Sequence, residues 1–125
     1  MSIKELSFLD SSKTTQSFLS TLKANNLTDL NDYLLFDLDN QMKQELLQQL
    51  DFLADDSLWN KEELAAYQTV AKTIDNDWIL CNDVTVLVIP SHLYKNDSEI
   101  FTLSIWDFFI QFEEKKLETH ILALN

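Results

Sequence analysis

One stretch, residues 77–112, constrains the fold of this chain more than any other part of it. Residues 84–89 (VTVLVI) form its longest apolar run, and Pro90 ends that run because proline cannot donate a hydrogen bond within a central strand. A second β-rich run covers residues 78–81, and the Asn-Asp pair between the two runs favours a tight hairpin. We therefore predict a hairpin over residues 78–89 whose second strand is covered on both faces.

A helix is expected behind this hairpin. Ser104 is a suitable N-cap, and the apolar residues that follow it recur at helical spacing. The face that we expect to lie on the sheet comprises Ile105, Phe108, Phe109 and Phe112. Trp106 belongs to a second face, directed towards the N-terminal helices. The side chains that we predict to be core are Trp78, Val86, Val88, Phe108 and Phe109.

The first part of the chain is expected to be helical. Ser11 or Ser12 can cap a helix over residues 13–24, and the two Asn residues that follow can end it without glycine. Thr28 can then cap a short helix that ends near Phe36 or Asp37. The Asp that follows Thr28 suits the positive N-terminal end of such a helix.

The middle of the chain contains one clear helix and one ambiguous segment. Residues 40–54 predict a helix whose apolar stripe is Met42, Leu46, Leu50 and Leu53. Residues 64–74 fit either a helix or a strand, and we favour a helical turn to about residue 65 and a strand over 67–73. Short extended pieces are expected at residues 99–103 and 120–124.

These elements indicate the α+β class and a single domain of residues 1–125. The hairpin at residues 78–89 would be the centre of a small antiparallel sheet of about three to four strands. The N-terminal helices and the C-terminal helix would pack against that sheet.

The chain contains no glycine at all. Its turns must therefore rely on Asn, Asp and Ser, which tolerate left-handed backbone or turn geometry better than most other residues. The same absence removes every glycine-rich phosphate loop and the dinucleotide-binding fingerprint. No cofactor is indicated.

Acidic residues outnumber basic ones by 21 to 9, which gives a formal net charge of −12. Such a chain should repel nucleic-acid phosphates and anionic membranes, and it should be drawn towards basic partners. The alternative is that the charge only keeps a small protein soluble. No run approaches the length of a membrane span, and the start of the chain does not resemble a signal peptide, so a cytoplasmic location is expected.

The residue pattern does not indicate a reaction or a metal site. His92 and His120 are the only histidines, and they are too far apart in sequence to form a familiar metal-binding spacing. Cys81 lies within an apolar run and is expected to be a core residue. The D-x-D sequences at Asp37 and Asp75 lack the glycine that a calcium loop needs. We therefore expect a protein that is not an enzyme.

The C-terminal half resembles proteins of the SUKH superfamily. The residues that carry this resemblance are Asp77-Trp78-Ile79, the run V-L-V-I-P-S at 86–91, Leu93-Tyr94-Lys95, Asp97 and the helix from Ser104 to Phe109. The resemblance implies an α+β fold with helices packed on an antiparallel sheet. It also implies an immunity protein that binds and blocks a co-encoded bacterial toxin, often a nuclease.

The leading hypothesis is therefore an immunity protein whose partner is a basic toxin domain. The alternative is an acidic mimic of DNA that inhibits a nucleic-acid-binding protein. Direct binding to nucleic acid or membrane is not expected. From charge and predicted exposure, the partner contacts would be Asp55, Asp56, Asp75, Asp77 and Asp97.

Overall fold

A computed structural model describes residues 2–53 and 55–123. It confirms the α+β class, but the antiparallel sheet has six strands rather than three to four. The strands, which are paired in chain order, are β1 (Asp29–Leu30), β2 (Leu34–Phe36), β3 (Gln68–Thr73), β4 (Trp78–Cys81), β5 (Val86–Ile89) and β6 (Glu99–Phe101). The helices are α1 (Ile3–Ser7), α2 (Thr15–Ala24), α3 (Met42–Leu53), α4 (Lys61–Leu64) and α5 (Ile105–Glu113), and a short 3-10 turn covers Lys95–Asp97.

The predicted hairpin is β4–β5, in which Trp78 pairs with Ile89 and Cys81 with Val86. It lies within the sheet but not at its centre as predicted, because β3 and β4 are the two middle strands. Its loop is longer than predicted and covers residues 82–85. The side-chain oxygen of Asn82 accepts hydrogen bonds from the backbone N–H groups of Val84 and Thr85, so this short polar side chain organises the turn. Val84 is consequently exposed and lies outside the strand that it was predicted to begin.

The two additional strands lie where a short helix was expected after Thr28. Leu30, Tyr33 and Leu34 have helical spacing, but β1 and β2 instead form a hairpin around Asn31 and Asp32. Both turn residues have positive φ, 57° and 55°, which Asn and Asp accept more readily than most residues. Strand β2 then pairs with β3, a long-range contact that no local spacing reveals.

Helices cover both faces of the sheet and enclose two hydrophobic cores. Helices α1, α2 and α5 enclose the first, where Phe18 stacks on Phe109 with ring centroids 5.5 Å apart. Helices α3 and α4 enclose the second, which contains Trp78 and Leu87. The five residues predicted as core are all fully buried, so that prediction is confirmed.

Several element boundaries also match the sequence. Helix α4 ends at Leu64 and β3 begins at Gln68, which resolves the ambiguous segment as predicted. Ser104 caps α5, but α2 is capped by Thr14 rather than by Ser11 or Ser12. Ala54, the predicted end of the long helix, and Leu124, within the predicted last extended piece, lie outside the described residues; residues 120–123 form no strand.

The residues with positive φ show how a chain without glycine makes its turns. In the part of the chain that the structure describes, five of them are Asn or Asp, as expected: Asn26, Asn31, Asp32, Asn40 and Asn76. The other three, Lys13, Leu93 and Lys115, were not predicted, because these residue types carry no turn preference. Among residues 2–53 and 55–123, no helix combines the length and the apolar character needed to cross a membrane.

Candidate functional site

The strand registers bring several loops to one end of the sheet. Leu34 pairs with Thr73, Lys72 with Trp78, and Val88 with Glu99. Residues 31–33, 74–77 and 90–98 therefore leave the sheet on the same side. Residues 55–59 join them because Leu58 forms a bridge with Tyr94 and the N–H of Lys95 donates to Ser57 O, 3.0 Å away. We call these four loops the acidic end of the sheet.

Four of the five predicted contact residues are exposed at this acidic end. Asp55 and Asp56 lie on the loop after α3, Asp75 lies on the β3–β4 turn, and Asp97 ends the 3-10 turn. Asp32 is also exposed there, and sequence reasoning missed it because its turn was taken for a helix. The Asn31-Asp32 pair is a turn signal of the kind recognised elsewhere in the chain, and it could have predicted this exposed turn.

Asp77 was predicted as a contact residue but is only 6% exposed, so that prediction is wrong. Its carboxylate accepts hydrogen bonds from Ser91 N at 2.9 Å and from Thr73 Oγ1 at 3.0 Å. Burial raises the pKa of Asp77, and the neighbouring charge of Asp75 acts in the same direction, while these two hydrogen bonds oppose the rise. Asp77 thus ties the β3–β4 turn to the loop after β5 and holds the acidic end together from inside.

Most of the basic side chains are occupied within the fold and do not neutralise the acidic end. All nine basic residues are lysines. Lys43 donates to the carbonyls of Leu64 and Tyr67, and burial lowers its pKa. Those with a carboxylate within 4.0 Å are Lys23, Lys72, Lys95 and Lys116. Lys95 is the only lysine on these four loops, and it is paired with Glu63.

A groove of about 440 Å³ lies beside the acidic end, between the last turns of α3 and the start of α4. Its apolar lining comes from Leu47, Leu50 and Trp59. Four carboxylates and one ammonium group also line it: Asp51, Asp55, Asp56, Glu62 and Lys61. The groove therefore offers a negative site with an aromatic wall.

Two apolar side chains near the end of α3 are unusually exposed. Phe52 is 88% exposed and Leu53 is 51% exposed, although Leu53 was predicted to continue the buried stripe of α3. Among the described residues of α3, the buried stripe comprises Met42, Leu46 and Leu50 only. Phe52 was missed as a surface feature; its position off the stripe was the signal that it would not be buried with Leu46 and Leu50.

A larger cavity of about 550 Å³ lies at the opposite end of the sheet, between α2 and the start of β3. Its two lysines are Lys23, which has Asp39 at 3.9 Å, and Lys43, which binds backbone carbonyls. With Asp37 in the lining and Asp39 beside Lys23, the cavity has no marked excess of either charge. We therefore place the candidate site at the acidic end rather than in the larger cavity.

Cys81 and His92, which carry reactive or titratable groups, lie in different surroundings. Cys81 is buried beside Thr15, and burial raises the pKa of its thiol to about 11, so it carries little thiolate near neutral pH. His92 is exposed and faces the carboxylate of Asp97 at 3.4 Å. Within the part of the chain that the structure describes, no three His, Cys, Asp or Glu side chains form a group that could hold a metal ion.

No protein-family model matches the chain, and neither a curated protein nor a solved structure matches it. The acidic end and its groove are therefore the features from which a function can be inferred.

Proposed function

We propose that this protein is a non-enzymatic binding protein, most concretely an immunity protein that neutralises a basic bacterial toxin domain in the cytoplasm, with nucleases as the leading candidates. The observation that carries this proposal is the gathering of exposed carboxylates from separate loops at one end of the sheet, in a chain of net charge −12. Nuclease clefts that hold phosphates are basic, and complementary fields accelerate association with such surfaces. The resemblance of residues 77–109 to the SUKH superfamily points in the same direction.

The shape of the acidic end favours a compact basic surface as the partner. A DNA mimic needs carboxylates spaced like phosphates along one face. Here the carboxylates of Asp32, Asp55, Asp75 and Asp97 come from four loops clustered around one end of a sheet. Such a cluster suits the mouth of a basic active site better than a long nucleic-acid-binding channel.

The proposal is tested first on the gene's surroundings, where it expects a toxin-like domain to be encoded beside this protein's gene. Cells that express that domain should survive only when this protein is co-expressed, and the two purified proteins should form a complex. A fourfold variant, Asp55→Asn, Asp56→Asn, Asp75→Asn and Asp97→Asn, should then associate at least about tenfold more slowly at low salt. Its association rate should also depend less on salt concentration.

A matched variant removes the same number of charges elsewhere: Glu5→Gln, Asp39→Asn, Asp107→Asn and Glu114→Gln, all exposed positions. It should retain most of the association rate, because rates depend on the local field that a partner meets. Equal slowing by both variants would show that net charge alone acts. Absence of any complex with the adjacent toxin domain would refute the proposed function.

A further inference from the structure

We propose that three exposed apolar side chains on the α3 face of the sheet form the centre of the surface that binds the basic partner protein. The three are Leu35, Phe52 and Ile74, and we call them the apolar patch. This inference rests on the proposed function, since the partner is the same toxin domain. It adds the side chains that the partner buries and the face of the sheet from which it approaches the acidic end.

The three side chains are exposed although each belongs to a regular element or directly follows one. Leu35 in β2 is 50% exposed, Ile74 after β3 is 70% exposed, and Phe52 in α3 is 88% exposed. None of them belongs to either hydrophobic core. Single exposed apolar side chains are common, but a group of large ones marks an interaction site. The strand registers and the helix spacing show that these three are grouped.

Leu35 and Ile74 are diagonal neighbours on the sheet. Both neighbours of Leu35 in β2 are buried in the first core, so Leu35 lies on the opposite face, the one that carries α3. Leu35 pairs with Lys72, and the N–H of Ile74 donates to Tyr33 O at 2.9 Å. Because alternate residues of an extended chain share a face, Ile74 lies on the same face as Lys72 and Leu35.

Phe52 lies on the flank of α3 that faces these two residues. Glu45 pairs with Lys72 at 3.2 Å, which places its flank of the helix next to the Lys72–Leu35 pair. Phe52 comes seven residues after Glu45, so it lies two turns further along the same flank. Lys43, on the opposite flank, donates to backbone carbonyls of the segment that leads from α4 into β3.

Helix α3 runs in the same direction as β3. Its first turn is capped by the carboxylate of Asp37, whose N–H donates to Val70 O at 2.9 Å near the start of β3. Its last turn leads into residues 55–59, which belong to the acidic end. Phe52 therefore lies towards the same end of the sheet as Ile74, and the apolar patch borders the acidic end.

The charges beside the apolar patch select a basic partner. Asp75 directly follows Ile74, and Asp32 is exposed in the β1–β2 turn. Lys72 is engaged by Glu45, so its ammonium group does not offset these carboxylates. An apolar centre with a charged rim is the usual anatomy of a protein interface. A second copy of this chain would bring the same net charge of −12 and would be repelled, which leaves a basic protein surface as the occupant.

The direct test is an NMR titration of the full chain with the peptide acetyl-Leu-Arg-Leu-Arg-Leu-Arg-Leu-amide. The methyl signals of Leu35 and Ile74 should shift, while those of Ile100, which is 63% exposed on β6, should not. A peptide with Ser in place of every Leu and a peptide with Glu in place of every Arg should each bind at least about tenfold more weakly. Equal binding of the Leu and Ser peptides, or shifts away from the apolar patch, would overturn the inference.

Variants of the apolar patch extend the test to the toxin domain. Leu35→Thr with Ile74→Thr removes apolar surface and keeps side chains that suit extended chain, and Phe52→Ser removes the ring. Each should weaken the Leu-Arg peptide and the toxin complex by at least about fivefold. Ile100→Thr is the matched control at the far edge of the sheet and should change neither. Urea unfolding verifies that the variants fold, and the titration of the wild-type chain decides the matter for any that does not.

The outcomes separate this inference from the proposed function. If the toxin complex tolerates both patch variants while the fourfold acidic-end variant weakens it, the inference fails and the proposed function stands. If the Leu-Arg peptide binds at the apolar patch but the adjacent toxin domain is not bound, the proposed function fails and the patch remains a site for a basic partner. A wild-type dimer in sedimentation that Ile74→Thr dissociates would show that a second copy covers the patch, and would overturn the inference.

Discussion

Lys115 has a backbone conformation that glycine usually adopts. Its φ is 60°, and it directly follows the C-cap of α5. The N–H of Lys115 donates to Phe112 O at 3.1 Å, and the N–H of Lys116 donates to Gln111 O at 2.9 Å. This is the Schellman arrangement, whose left-handed residue is normally glycine. Because Lys115 is exposed, Lys115→Gly should remove backbone strain without loss of packing and stabilise the fold by about 1 kcal/mol.

The free energy of unfolding in urea measures this effect. Lys116→Gly is the matched control, since Lys116 is exposed but does not have positive φ. That variant should gain nothing, because glycine there only adds freedom to the unfolded chain. A stabilisation of similar size in both variants would contradict the conformational explanation.

Asp10 is a buried carboxylate that joins the N-terminal segment to α5. One of its oxygens accepts hydrogen bonds from Trp106 Nε1 and Ser17 Oγ, each at 2.7 Å, and the other accepts from the N–H groups of Ser12 and Lys13. Burial alone would raise the pKa of Asp10, but these hydrogen bonds outweigh it and hold the pKa below its ordinary value of 3.8. The charged form is therefore the one that the fold prefers.

Asp10→Asn should destabilise the fold by about 2–3 kcal/mol at pH 7, because its amide group would replace an acceptor with a donor opposite Trp106 or Ser17. The lowered pKa sets the sign of the pH dependence. The stabilisation from the charged carboxylate is complete above pH 3.8 and is lost as the pH falls through the lower pKa of the folded state. Urea unfolding at neutral and acidic pH should show the gap between wild type and variant shrinking with acid. Asp56→Asn, at an exposed position, should leave stability nearly unchanged at both pH values.

At the candidate site, the solvent exposure of individual side chains was the property that the sequence predicted least well. Asp75 and Asp77 look equivalent in the sequence, two acidic residues around one Asn, yet Asp75 is exposed and Asp77 is buried. The difference depends on Thr73 and on Ser91, whose N–H donates across to Asp77 from another loop. Local pattern contains no information about such a long-range partner.

Helix α4 is a single turn, and its capping determines whether it forms. Asn60 Oδ1 accepts from the N–H of Glu63 at 2.8 Å, and the Glu63 carboxylate accepts from the N–H of Asn60 at 3.1 Å. So short a helix has too few internal hydrogen bonds to be stable alone. Asn60→Ala should cost about 1 kcal/mol, and amide exchange of residues 61–64 should accelerate more than that of α3.

The rescue variant is Asn60→Asp, because Asp is an equally good N-cap and should restore both stability and slow exchange. If Asn60→Ala left the exchange of residues 61–64 unchanged, the helix would be held by Leu64 in the core rather than by its cap.

Elements with dense apolar patterns were predictable, and sparsely patterned ones were not. In α5, the spacing of Phe108, Phe109 and Phe112 predicted both the helix and its buried face, since aromatic residues dominate core energetics. Strands β1 and β2 have two and three residues, too few for any periodicity to show. Strand β2 is stabilised by pairing with β3, and β1 by pairing with β2, and these contacts become apparent only when the sheet is assembled.

At the scale of the whole molecule, charge acts in two opposing ways. Ion pairs such as Lys72–Glu45 at 3.2 Å stabilise the fold, but partly exposed pairs contribute little, usually under about 1 kcal/mol each. The 21 acidic residues in this chain of 125 repel one another, which opposes the effect of the ion pairs. The repulsion is strongest at the acidic end, where several loops bring carboxylates together. Self-repulsion at high net charge destabilises the compact state.

Repulsion should therefore outweigh the ion pairs, and added salt should stabilise the protein. We expect the free energy of unfolding in urea, a denaturant without charge, to rise by about 1–2 kcal/mol as sodium chloride increases from about 20 mM to about 500 mM, since the screening length falls well below the dimensions of the molecule.

The fourfold acidic-end variant should be more stable than wild type at low salt, and added salt should raise its stability by less. The variant altered at Glu5, Asp39, Asp107 and Glu114 removes equal charge from more widely spaced positions and should gain an intermediate amount. If salt instead lowered the stability of the wild-type protein, the ion pairs would outweigh the repulsion among the carboxylates.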